Sequence, residues 1–170
     1  IPLGDPIAAA SSQIGYVPED RFTEGLFLTQ SIIRNVAIGR LDHHDKYGFL
    51  DLPSLFSDAS KWSNRFKVKT PSVEAPVQSL SGGNQQRVVL ARWLARAPLV
   101  LILNGPSVGV DVGSKSDIHD IIRDLASSGL GVVVISDDLP ELLTTCHRIL
   151  VMRMGKIIDE VGAGTVTEEE

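Results

Sequence analysis

Two uninterrupted apolar runs constrain this chain more than anything else in it. Residues 99–103 read LVLIL and residues 131–135 read GVVVI. Each is too short for a helix and is bounded by turn residues, so each reads as a buried strand. Between them, residues 114–126 carry Ile118, Ile121, Ile122 and Leu125 at helical spacing, with Gly129 as the stop. Strand, helix, strand in that order is a parallel βαβ unit, with helices laid over the sheet. A short helix over residues 139–146 follows. A hairpin pairing residues 149–152 with 157–161 around Gly155-Lys156 completes the second half. In such folds the chemistry sits at the C-terminal ends of the parallel strands. The first run ends in Asn104-Gly105-Pro106, an amide and a glycine, with a carboxylate only at Asp111. Neither Asn104 nor Gly105 is a base or a strong metal ligand.

The first half reads differently. Residues 14–17 form a short strand closed by Pro18, and residues 18–21 are a polar loop. Residues 31–38 have helical spacing at Ile32, Ile33, Val36 and Ala37. The charged stretch 41–48 reads as loop. Asp51 and Pro53 open a helix to about Phe66, with Leu55, Phe56, Ala59, Trp62 and Phe66 on one side. Residues 69–76 read as a linker, and Ser81 precedes a long helix that Pro98 ends. The expected fold is α/β with a mostly parallel sheet and an inserted, mostly helical segment.

Length and charge narrow the classes of function. With 170 residues the chain suits one domain, and a net charge of −5 argues against a nucleic-acid partner. Cys146 stands alone, so no disulfide framework is expected and a reducing compartment is the default. No apolar run approaches the ~20 residues of a membrane helix. The chain opens Ile1-Pro2-Leu3-Gly4, without Met or a basic start. The expectation is a piece of a longer protein with no secretory leader.

Residues 80–86, LSGGNQQ, are the most specific signal. They place a hydroxyl and two glycines at a helix N-terminus. There the backbone N–H groups and the helix dipole favour an anion such as a terminal phosphate. A serine cap without a ligand is the plainer alternative, but glycines in a first helical turn weaken it. The stretch resembles the signature motif of the ATP-binding-cassette ATPases. Its Asn84-Gln85-Gln86 form, with Tyr16-Val17-Pro18-Glu19-Asp20-Arg21 and Gly25-Leu26, is similar to the sugar-importer branch and to the second of two ATPase halves. The resemblance runs from about residue 6 to 161.

That resemblance implies a role for each position. Glu19 stands at the Q-loop position, which senses the γ-phosphate. Residues 99–103 resemble the Walker B strand, which the family follows with an Asp for Mg²⁺ and a Glu for the attacking water; here those places hold Asn104 and Gly105. Gly109-Val110-Asp111 resembles the D-loop. Asp137 follows Ser136 in the switch region, where hydrolysing members place His. The phosphate loop, Gly-x-x-x-x-Gly-Lys-Ser/Thr, does not occur in the sequence. The resemblance therefore implies a partial P-loop ATPase core: 1–25 core strand and Q-loop region, 26–80 helical subdomain, 81–162 signature helix, Walker B-like strand, D-loop and switch, and 163–170 a flexible acidic tail. Asn104, Gly105 and Asp137 mark a degenerate hydrolytic site, and Ser81, Gly82, Gly83 and Gln85 would contact ATP in trans.

ATP and Mg²⁺ are expected in the intact parent, and none bound tightly to this chain alone. The implied partners are the other ATPase half and membrane permease subunits, docking around residues 19–31 at the cytoplasmic face of the membrane. Self-association is expected from an unpaired edge beside the Walker B-like strand, where the missing phosphate-loop strand would lie. Two rivals stand beside this reading. One is a non-catalytic scaffold of the same fold. The other is a DNA-repair or chromosome-organising ATPase, whose long coiled-coil insertion is missing here. The remaining features read structurally: His43-His44-Asp45 as a solvated loop rather than a metal site, Asp137-Asp138 as a helix cap pair, the aromatics as core, and Cys146 as a buried small hydrophobe. No metal site is expected.

Overall fold

The computed structural model describes residues 4–163; the acidic tail lies outside them apart from Ala163. Helix α1 (Pro6–Ser11), capped by Asp5, leads into β1 (Ile14–Val17). Helix α2 (Ile32–Ala37) starts at Ser31, whose hydroxyl accepts the Arg34 N–H. A 3₁₀ turn (Ile38–His43) follows, then the two-residue strands β2 (Asp45–Lys46) and β3 (Phe49–Leu50). Helix α3 (Leu52–Arg65) has Asp51 as its cap and Pro53 in its first turn, and helix α4 is Gly82–Leu94. The second half is β4 (Val100–Asn104), α5 (Val112–Ser127), β5 (Gly131–Ile135), α6 (Leu139–Thr145), β6 (Arg148–Arg153) and β7 (Lys156–Gly162).

The main sheet has the order β1-β4-β5 and is parallel throughout, with Ile14 opposite Val100 and Val100 opposite Gly131. Strand β4 is central. Its Leu101 and Leu103 point into one core cluster that runs from Val17 to Ile122. Helix α4 joins the two halves. Its Val88, Val89, Leu90 and Ala91 are all fully buried, because the sheet lies on one side and α2 with α3 on the other. The approach is close: a Cβ on Gly15 of β1 would stand 2.8 Å from Leu101 Cδ1 and 3.2 Å from Trp93.

Several expectations change. Strand β5 is not covered on both faces: Val133 is 48% and Ile135 50% exposed. Its other two valines face the core, but among the described residues no layer covers the opposite face. The unpaired edge also sits elsewhere. Strand β4 is hydrogen-bonded on both sides, so the free edges belong to β1 and β5, each of which pairs only with β4 among the described strands. The stretch 41–48 is not simply loop. Tyr47 and Gly48, both at positive φ, form the tight turn that pairs β2 with β3. The linker 69–76 is tied down, since Ile32 and Ile33 donate to Ala75 O and Val73 O. Cys146 is half-buried, and burial pushes its thiol up, with the Glu141 carboxylate adding to the effect.

Two buried polar brackets hold the helical layer. Asn35 is fully buried; its amide donates to Phe27 O, Gln30 O and Ser31 O and accepts from Phe27 N. Arg92 of α4 donates to Asn35 O, Asn35 Oδ1 and Gly25 O, each at 2.7 Å, and burial pulls its pKa down to about 10. The second bracket centres on Asp58. Arg40 Nε lies 2.8 Å from its carboxylate and His44 Nε2 3.4 Å, while Arg40 also donates to Ala95 O.

Burial pushes the Asp58 carboxyl up, but the hydrogen bonds from His44 and Arg40 outweigh it and leave the pKa below 3.8. A carboxylate depressed in the folded state adds stability above its unfolded pKa and loses it as pH falls through the folded value. Asp58→Asn is therefore expected to cost the same stability at pH 5 and pH 6, and progressively less below about pH 4. Urea midpoints of both proteins across that range check this; a gap that persists at low pH would refute it.

Candidate nucleotide-facing site

The carboxyl ends of β1 and β4 open into a cleft of about 350 Å³, lined by Tyr16, Glu19, Arg21, Asn104 and Val108 among others. Asn104 ends β4, and its amide reaches the Tyr16 hydroxyl at 3.4 Å. Gly105 turns the chain at φ +56, held by its N–H on Ile135 O at 2.8 Å. A Cβ there would stand 2.9 Å from Val108 Cγ2 and 3.0 Å from Glu19 Cγ. The exposed Glu19 side chain thus fills the space into which a side chain at 105 would grow. Asp20 beside it caps a wide helical turn (Arg21–Gly25). Hydrogen bonds from the Thr23 hydroxyl and the Phe22 N–H hold its carboxyl below the usual range. With Glu24, this wall is acidic.

The N-terminus of α4 lies on the other side of the Gly109 turn. Ser81 is exposed with extended backbone, and no side chain caps the helix. The Asn84 amide donates to Ser81 Oγ at 2.9 Å and accepts from Lys69 N at 2.8 Å, which ties the hydroxyl to the segment 69–76. The first-turn N–H groups have no side-chain acceptor, the arrangement that suits an anion. The glycines, however, have an internal reason. A Cβ on Gly82 would meet Gly109 O at 2.7 Å, and one on Gly83 would meet Ser114 Cβ at 2.5 Å. They allow α4 to touch the turn after β4 and the start of α5. Gln85 is a correction: it is 5% exposed, its carbonyl accepts from Arg21 Nε and its amide reaches Val77 O. Its side chain is spent inside the protein and positions the loop rather than facing a ligand.

Asp111 is exposed and caps α5; the Ser114 N–H on its carboxylate, at 3.0 Å, lowers its pKa. The loop after β5 is built on a buried carboxylate. Glu141, 4% exposed, takes the Ser136 hydroxyl at 2.5 Å on one oxygen and meets His119 Nε2 at 2.9 Å on the other. Asp138 caps α6 through the Glu141 N–H, whereas Asp137 is exposed. The expected cap pair is therefore one cap and one free carboxylate.

The strand end does not suit a divalent cation. Asn104 offers a neutral amide and Gly105 nothing, and no cluster among the described residues has three metal-ligating side chains. Arg21, Glu141 and His119 escaped the sequence reading. A buried arginine in a polar loop has no periodicity to mark it, and Glu141 and His119 meet only across two helices.

The family model described as ABC transporter matches residues 3–108. The chain is 44% identical over 167 residues to a ribose import ATP-binding protein of Rhodococcus jostii, covering 98% of this chain and 33% of that one. It is 41% identical over 170 residues to an L-arabinose transport ATP-binding protein of Geobacillus stearothermophilus, covering 100% and 33%. The chain thus spans about a third of the length of these relatives. Its fold matches that of an ATP-binding cassette solved as a dimer in a post-hydrolysis state with ADP and Pi, with a TM-score of 0.74 and 23% identity over 94% of this chain and 68% of that one. With a family model matched over more than half of the chain, and the parallel sheet and signature-like helix in place, this chain belongs to the ABC transporter family.

Proposed function

We propose that this chain is part of the ATP-binding subunit of a carbohydrate ABC importer, and that it offers the N-terminus of α4 to ATP held by another ATPase half. The observation that carries this is the exposed, uncapped start of α4, with the Ser81 hydroxyl held in place by Asn84. Ser81 and the N–H groups of Gly82 and Gly83 would clamp a γ-phosphate, an electrostatic role that needs no base on this chain. Its own hydrolytic positions, Asn104, Gly105 and Asp137, are degenerate. Phosphoryl transfer to water needs a placed cation and an oriented nucleophile, and neither Asn104 nor Gly105 supplies them. Glu19 is the Q-loop residue in this reading, and Asp111 is the D-loop carboxylate that faces the other half.

ATP and Mg²⁺ belong to the chemistry of the ABC family; we assign neither a tight site on this chain alone. The partners in this reading are the second ATPase half and permease subunits. The permease would meet residues 19–31, where Phe22 and Phe27 are exposed, at the cytoplasmic face of the membrane. No helix among the described residues is long and apolar enough to cross a membrane. In this reading the chain divides into a core strand and Q-loop region (1–25), a helical subdomain (26–80), the signature, Walker B-like, D-loop and switch segments (81–162), and the acidic tail (163–170). The free edge of β5 favours self-association of the isolated chain.

Ser81→Arg in the parent protein, assembled with its permease, tests the reading. ATP turnover is expected to fall by about tenfold or more, as for loss of a preorganised donor. Unchanged turnover would leave the scaffold reading, which the missing carboxylates at 104 and 105 favour.

A further inference from the structure

We propose that Arg21 is a positioning residue that holds the turn after β4 against the N-terminus of α4, so that the segment following β1 sets the spacing between these two loops. Arg21 is 4% exposed. Its Nη1 donates to Val108 O at 2.6 Å, its Nη2 to Gly109 O at 2.9 Å and its Nε to Gln85 Oε1 at 3.2 Å. Gln85 in turn reaches back to Val77 O. One planar group therefore joins its own segment to two others, 64 and 88 residues away in sequence.

The acceptors decide the role. An arginine that served only as a buried ion-pair member would face a carboxylate. Here two backbone carbonyls and a side-chain amide take its protons, and burial lowers its pKa, with Asp20 opposing weakly. Two carbonyls at the tip of one turn, gripped by one rigid fork, lose their freedom to rotate. The glycines on both sides are shaped to this guanidinium. A Cβ on Gly82 would stand 2.9 Å from Nη2 and one on Gly109 3.2 Å. The Phe22 ring lies over one face of the guanidinium, its centroid 4.6 Å from the central carbon. Movement of the turn 21–25 must therefore drag the Gly109 turn and the start of α4 with it. This role holds whether or not the helix end binds a phosphate.

Lysine keeps the charge but not the fork, so Arg21→Lys separates positioning from simple charge burial. Amide hydrogen exchange on the full 170-residue chain reads it. Gln85, Val108 and Val110 donate to Ser81 O, Gly105 O and Ser107 O. Their exchange is expected to speed up about tenfold or more in Arg21→Lys, while amides of β6 and β7 stay within about twofold. Arg92→Lys, which also removes an arginine from neutral acceptors, is expected to leave the three amides unchanged relative to β6 and β7. Equal acceleration of all amides, or none at the three, would overturn the proposal. A measurement on the wild type needs no variant to fold: the Nη protons of Arg21 are expected as separate NMR signals from a guanidinium that does not rotate. A single averaged signal would also overturn it.

Discussion

Gly83→Ala is expected to destabilise the chain by about 3 kcal/mol, at the upper end of what overpacking costs. On propensity alone the change should help, because alanine is favoured over glycine in a helix by about 1 kcal/mol. The contact decides otherwise. The new methyl would stand 2.5 Å from Ser114 Cβ and 2.6 Å from Ser114 Oγ. A hydroxyl can rotate away but a Cβ cannot, so α4 and α5 must separate. That separation strains the Arg87–Asp117 ion pair, which joins the same helices, and the Arg87 bond to Phe66 O. Urea denaturation of the two proteins measures the loss. Ser114→Gly removes the obstructing atom, so the double variant is expected to regain about half or more of it, as two contacting sites do in a mutant cycle. An unchanged midpoint in Gly83→Ala would mean that the helices slide apart freely. The glycine would then serve only the surface.

Placing carboxylates at the end of β4 is expected to create no hydrolytic site. Asn104→Asp with Gly105→Glu should leave ATP turnover of the parent unchanged and destabilise this chain by about 3 kcal/mol. Roughly 1–2 kcal/mol comes from placing a side chain at φ +56, and the rest from crowding against Val108 and Glu19. The introduced carboxylate would also meet that of Glu19 across the cleft, and like charges resist sharing it. The turn after β4 thus fits a residue without a side chain, and Glu19 occupies the space beside it. Single-turnover hydrolysis and a denaturation curve together test this. Gained hydrolysis with stability intact would overturn this, showing that the site is two substitutions away from working.

The asymmetry of the site follows from the same geometry. The strand end carries an amide and a glycine, Asn104 and Gly105, neither of which holds a cation strongly or activates water. The start of α4 keeps an open set of N–H groups on a rigid base. The base is rigid because Asn84 is pinned by Lys69 N, and because Arg21 and Gln85 tie the helix to the neighbouring turn. A surface that only presents N–H groups needs such support, since its strength lies in not reorganising.

Much of this architecture was legible in the residues themselves. The run 99–103, the Ile118/Ile122 stripe, and Asp51 and Pro53 opening a helix that Phe66 closes are local patterns, and each became the element expected. The helix start at Asp51 was equally local, whereas the caps at Ser31 and Asp111 emerged only in the structure. The sequence also determined what the end of β4 lacks, because no fold can supply a carboxylate to Asn104 or Gly105. Tertiary structure alone decided which face of β5 stays open, since Val132 and Val133 are the same residue on opposite sides of the sheet. It alone decided that Gln85 turns inward, that Glu141 bridges Ser136 and His119, and that Gly82 and Gly83 answer to Gly109 and Ser114 as much as to any ligand. It alone made Arg21, within a polar loop, a buried link to Val108 and Gly109. The physical reason is range. Periodicity, caps and turns are read between residues a few positions apart, where the backbone dictates who meets whom. Contacts across 64 to 88 residues depend on how whole elements pack, and no local pattern carries that information.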